Sequence, residues 1–173
     1  VDKLLDSFET VFGNGFLKYF KEQEKKHHYF KLDDYKKVIQ KFVEDEQRER
    51  VNYYSGSHVH FTRFLLVSIE KFKNNGRAEL DHKGKLIWQL EHVIPKSNFE
   101  KKDSDKNKLG NLTLLHRDTN VKISDETFVE KKKVLLDKDE SKFYINEVFR
   151  RDKFLKSDIE QRTIDLQLEL KDI

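Results

Sequence analysis

Leu86-Ile87-Trp88-Gln89-Leu90-Glu91-His92-Val93-Ile94-Pro95, then Gly110-Asn111-Leu112-Thr113-Leu114-Leu115, then Asn120, is the stretch on which this chain turns. The apolar run 86–90 reads as a buried strand leading into Glu91-His92. Residues 97–109 are polar and lysine-rich and read as a long loop. Leu112 to Leu115 forms a short returning strand, and a helix begins at about 118. Adjacent residues on a strand point to opposite faces. Glu91 and His92 can therefore serve one site only if the strand ends or bends at them. Pro95 fits such an ending, because it cannot donate to a ladder.

These residue types suit phosphodiester hydrolysis, which needs a base for water and a cation for the charge on the leaving oxygen. His92 is the natural base, since imidazole titrates near neutral pH. Glu91 offers a hard oxygen ligand and Asn120 a carbonyl oxygen, a pair that suits Mg²⁺ or Mn²⁺ better than zinc. Asn111, in the loop or at the start of the returning strand, can orient His92 or pin the loop. Gly-Asn is also ordinary turn chemistry, and Asn120 also reads as a helix-start residue.

The set Glu91, His92, Asn111 and Asn120 resembles that of an HNH nuclease, whose ββα-metal (His-Me) finger is two strands and a helix. More closely, the chain resembles the C-terminal HNH domain of GmrSD-type, modification-dependent (type IV) restriction endonucleases. The residues that carry this likeness are Glu91 to Ser97, Gly110 to Leu115, Asn120 and Phe128-Val129-Glu130-Lys131-Lys132, with Lys96 where glutamine is more usual. Arg63-Phe64-Leu65-Leu66 with Ile69-Glu70 resembles the helix before the box, and Ile159-Glu160-Gln161-Arg162 the closing helix. The similarity is strong over roughly 60–170 and weak before it. It implies His92 as general base, Asn111 as the residue positioning it, and Glu91 and Asn120 as ligands of a single Mg²⁺ (or Mn²⁺). Lys96, Arg117, Lys131 and Lys132 are candidate contacts to the nucleic-acid backbone, although lysine runs are also ordinary solvated faces. The implied substrate is DNA, foreign or modified. The implied partner is a nucleotide-dependent sensing domain ahead of this chain in the same protein.

Composition is compatible with that reading without requiring it. The chain has 173 residues, 35 basic against 32 acidic side chains and a net charge of +3, which falls short of a strongly basic nucleic-acid binder. It contains no cysteine, which excludes disulfides and cysteine-ligated zinc. His27-His28 and His58/His60 have no carboxylate or cysteine at ligand spacing and are not read as a metal set. No apolar run approaches the ~20 residues of a membrane span. No signal peptide is visible, so a cytoplasmic location is the expectation. The absence of methionine, with Val1 first, leads to the expectation of a piece excised from a longer protein. There is no Gly-x-x-x-x-Gly-Lys-Ser/Thr run, so any nucleotide dependence is expected from outside this chain.

One proline and six glycines leave little punctuation, which favours helix. Tyr35, Val38, Ile39, Phe42 and Val43 predict an amphipathic helix within 34–50. Phe61, Phe64, Leu65, Ile69 and Phe72 predict another over 59–73, closed by the turn Asn74-Asn75-Gly76. Further helices are expected from Glu126 to Leu136, over 141–155 and over 157–171. The last has Ser157 and Glu160 as a capping box and Ile159, Thr163, Leu166 and Leu170 on one face. The expected fold is mainly α with a small antiparallel β-hairpin, an HNH core embedded in a helical domain. The expected divisions are a helical part at 1–80 (docking or linker), the core at 81–137 and C-terminal helices at 138–173. An RNA-directed or toxin-type HNH nuclease and a non-catalytic nucleic-acid-binding module are the competing functions. Intact Glu91, His92 and Asn120 argue against the second.

Overall fold

The computed structural model describes Tyr54 and residues 58–74, 88–123, 125–138 and 140–172. The helix expected within 34–50, the lead-in Leu86-Ile87, the turn residues Asn75-Gly76 and His27-His28 lie outside the described residues. So do the side chains of His58, His60, Phe61 and Phe64.

The described part is mostly helical around one two-stranded antiparallel sheet. Helix α1 spans His58–Lys73, strand β1 Trp88–His92 and strand β2 Leu112–His116. Then follow α2, Arg117–Ile123, α3, Phe128–Asp137, and α4, Lys156–Asp172. Trp88 pairs with His116, Leu90 with Leu114 and His92 with Leu112. Strand β1 alternates buried and half-buried positions, whereas Leu112 to Leu115 are all buried, and α1, α2 and residues 144–150 pack against β2.

Helix α1 buries Thr62 and every position from Leu65 to Glu70, because it packs against both strands and α4. Phe72, expected on its inner face, is 49% exposed. Glu70 is buried and accepts the Ile145 amide at 2.9 Å and the Asn74 side chain. Burial raises its pKa, against the pull of those bonds. Helix α3 starts with a capping box the sequence reading missed: Glu130 accepts from the Thr127 amide at 3.0 Å and donates its own amide to the Thr127 hydroxyl.

Two further expectations need correction. The helix expected over 141–155 is absent. Glu140–Lys142 and Tyr144–Arg150 are short 3₁₀ segments, and irregular chain follows to Leu155. Side chains occupy the backbone groups that an α-helix would use. Ile145 N–H donates to Glu70, and Ile145 C=O accepts from Arg162 at 3.0 Å. Asn146 donates to the carbonyls of Leu114 and Glu140 at 3.0 and 3.2 Å. An asparagine that satisfies remote carbonyls competes with helix formation. The second correction concerns the α4 cap. Asp158, not Glu160, reaches back, accepting the Leu155 amide at 2.7 Å, while Glu160 pairs with Lys108 at 2.7 Å. Ile159, Thr163, Leu166 and Leu170 are buried on one face as expected.

The connection between the strands carries three 3₁₀ turns, Lys96–Asn98, Asp105–Asn107 and Leu109–Asn111. The last is the main contact of α4. A Cβ on Gly110 would lie 2.0 Å from the Ile159 carbonyl oxygen and 2.8 Å from the Thr163 nitrogen, both backbone atoms of α4. Backbone cannot yield as a side-chain tip can, so only glycine fits. The Gly110 amide donates to the Thr163 hydroxyl at 2.9 Å, and its carbonyl accepts from Arg162 at 2.6 Å. Gly110→Ala should therefore destabilise the protein by about 3 kcal/mol or more, the upper end of overpacking costs. A urea melt checks this, and an unchanged midpoint would contradict the close approach.

Candidate active site

The site begins where β1 stops. Strand pairing ends at His92, and Val93 and Ile94 form a bend before Pro95. Asn111 continues the pairing by other means. Its backbone carbonyl accepts the Val93 amide at 2.8 Å, and its Oδ1 accepts the Ile94 amide at 2.9 Å. Its Nδ2 donates to the carbonyls of Ile94 at 3.1 Å and Lys106 at 2.9 Å. Asn111 is wholly buried, and its amide pins the loop to the strand end. Any influence on His92 passes through that backbone.

His92 is 3% exposed. Its Nε2 lies 3.2 Å from Oδ1 of Asn107, and the Tyr54 ring is tilted against it with centroids 4.2 Å apart. Burial pulls its pKa down to about 3, Lys96 and Lys131 push the same way, and the Asn107 bond and Asp125 oppose. The ring is therefore neutral at ordinary pH. With Asn107 accepting, Nε2 carries the proton and the lone pair sits on Nδ1.

Glu91 precedes it, with 12% of its side chain exposed. Lys131 from α3 donates to Glu91 Oε1 at 2.5 Å and to the His92 carbonyl at 2.7 Å. Burial raises the Glu91 pKa, with Lys131 pulling it back. Lys131 itself is 0% exposed. The sequence reading set it beside Lys132 as a backbone contact, but in the fold its ammonium faces inward and is already bonded. The signal was present: Phe128, Lys131 and Leu135 are the buried positions of α3, at i, i+3, i+7 spacing.

Asn120 lies on α2, which packs across both strands. Its Oδ1 is buried and has no hydrogen-bond partner among the described residues. Glu140 braces this helix, accepting from the Thr119 hydroxyl and, at 3.2 Å, from the His116 amide at the end of β2. A buried carbonyl oxygen without a donor calls for a cation or water, and amide and carboxylate oxygens are the donor types that suit Mg²⁺ or Mn²⁺. Among the described residues there is no group of three or more His, Cys, Asp or Glu that could hold a metal. The donors here are one carboxylate and one amide.

The outer residues differ in freedom. Lys96 is exposed, with its ammonium 3.8 Å from the centre of the Tyr54 ring. Burial of its stem lowers its pKa, and the Glu91 charge opposes this. Arg117 is exposed at the start of α2. Lys132 donates to the Arg151 carbonyl at 2.7 Å and lies 3.8 Å from Asp152. His116 is half-buried and accepts the Asp118 amide at 3.3 Å. The sequence reading missed Asn107, Tyr54, Asp125 and the inward role of Lys131. Only Lys131 had a periodicity to reveal it; the others meet the site through the tertiary fold.

A neutral buried His92 fixes a sign for acid stability. Its pKa is about 3 when folded against the usual 6.5, so between those values the unfolded chain binds the extra proton. Its contribution is complete above pH 6.5 and is lost as pH falls toward 3. Glu91, with a raised pKa, acts in the opposite sense, its contribution fading as pH rises through that raised value. Thermal melts should show Tm falling from about pH 7 to about pH 4, with a shallower fall in His92→Gln. An equal slope in both proteins would place the acid sensitivity elsewhere.

Comparison with known proteins completes the site. No curated protein and no solved structure matches the chain. The family described as GmrSD restriction endonucleases, C-terminal domain, matches residues 21–167, which include every site residue above. The chain thus belongs to the GmrSD restriction endonuclease C-terminal domain family, which brings with it a nuclease-type role.

Proposed function

We propose that this chain is a metal-dependent HNH endonuclease domain that hydrolyses DNA phosphodiester bonds in defence against foreign or modified DNA. In this reading β1, β2 and α2 are the ββα-metal core. The observation that carries it is the buried, unbonded Oδ1 of Asn120, on the helix packed against the strand that ends in Glu91-His92.

Each residue then has a task. Glu91 and Asn120 would hold Mg²⁺ or Mn²⁺, which supplies positive charge for the scissile phosphate and the leaving oxygen. His92, neutral and with a lone pair on Nδ1, takes the proton from the attacking water. Its low pKa makes it a weak base in the free protein, and a phosphodiester brought beside it raises that pKa by its negative charge. Asn111 keeps the strand end bent so that Glu91 and His92 serve one site. Lys96, Arg117 and Lys132 contact the backbone, and Lys131 stays inside. With a net charge of only +3, the grip on DNA is weak and independent of sequence. Selectivity for modified DNA comes from an N-terminal sensing domain of the same protein.

The test uses plain plasmid, modified phage DNA and RNA, each with Mg²⁺, Mn²⁺ or EDTA. Cleavage of both DNAs with either metal, and none in EDTA, is expected. His92→Ala should lower the rate by ~10²–10⁴ while leaving fold and DNA affinity near normal. A folded His92→Ala protein cutting at the wild-type rate would sink the assignment.

Binding should weaken linearly on a log–log salt plot, by about 0.9 per phosphate neutralised. Arg117→Ala should reduce that slope by about one such step. An unchanged slope removes Arg117 from the interface.

A further inference from the structure

Lys131 is a fully buried ammonium, which is costly to remove from water unless it is well paired. Its ammonium donates to Glu91 Oε1 and to the His92 carbonyl, so its charge lies directly on the carboxylate that would hold the cation. Lys96 also acts electrostatically on this neighbourhood, as does Asp125 with the opposite sign. Among the described residues, Glu91 and Asp125 face Lys96, Lys106 and Lys131, so the charged groups around the site carry no net negative charge. Asn120 adds an oxygen but no charge. Affinity for a hard divalent cation follows ligand charge and number, and here the charge is already cancelled.

We infer that Lys131 is a positioning residue that holds Glu91 in a neutralised pair, so that the divalent cation binds firmly only together with a nucleic-acid phosphate. The phosphodiester oxygen brings the negative charge that Lys131 has cancelled. Cation and nucleic acid then assist each other's binding, and by linkage by the same factor. The protein without DNA would hold little metal and present no assembled hydrolytic centre to other phosphates. The inference rests on the proposed nuclease reading and adds to it the order in which the site fills.

The experiment is a titration with Mn²⁺, followed by electron paramagnetic resonance, in a His92→Ala background that prevents cutting. It is run with and without a short DNA duplex. In that background the duplex should tighten Mn²⁺ binding by about tenfold or more, and Mn²⁺ should tighten duplex binding equally. Adding Lys131→Met, which keeps the length and removes the charge, should tighten Mn²⁺ binding without DNA and shrink the gain from the duplex. A merely structural lysine predicts the reverse, since a disordered site binds metal more weakly. Unchanged or weaker Mn²⁺ binding in a folded Lys131→Met protein overturns the inference. If that variant does not fold, the reciprocal gain in the His92→Ala protein decides: its absence overturns the inference and its presence supports it. Cleavage by the wild-type protein that persists in EDTA defeats the nuclease reading itself. EDTA-sensitive cleavage without coupling defeats only the role of Lys131.

Discussion

The contact on which the described structure depends is the approach of α4 to the peptide at Gly110. Within one turn of that helix, Arg162 donates to the carbonyls of Gly110, Leu112 and Ile145, at 2.6, 2.8 and 3.0 Å. Thr163 takes the Gly110 amide. These bonds join the C-terminal helix, the start of β2 and the irregular segment after α3. Asn111, the next residue, is thereby presented to the bend after His92. The geometry of the site is thus set from behind, by a helix that contributes no residue to the proposed chemistry.

Buried charge is used repeatedly, and each instance has dedicated polar partners. Arg162 is met by three carbonyls, and burial pulls its pKa down to about 9, which leaves it cationic at neutral pH. Glu70 meets an amide of the irregular segment, Glu140 holds the start of α2, and Lys131 holds Glu91. An unpaired buried charge is strongly destabilising, whereas a paired one fixes geometry without adding much stability. These groups act chiefly as locators. They tie elements that are distant in sequence into one arrangement around a small two-stranded sheet.

Family membership carries a nuclease-type role, and the local geometry is consistent with how such a role would be exercised. His92 is neutral and buried, with Tyr54 and Asn107 against its ring. Glu91 is oriented by a lysine, and Asn120 offers an oxygen that no donor among the described residues meets.

The hairpin, its loop, the two helices after it and the buried stripe of α4 were legible because hydrophobic period and turn chemistry are local properties. The box from Glu91 to Pro95 was legible for the same reason, its order along the chain being its meaning. The segment 140–155 was not. Its composition suits a helix, yet Glu70, Arg162 and Thr113 reach its backbone from elsewhere and hold it in 3₁₀ turns. Nor could the sequence show that Asn107 meets His92 or that Tyr54 covers it, since those contacts join residues well separated in the chain and no local period announces them. Sequence alone determined which residue types are candidates for hydrolysis, and in what order. Tertiary structure decided which of them face inward, with what partners and in what protonation state, because burial and charge pairing depend on segments that meet only when the chain has folded.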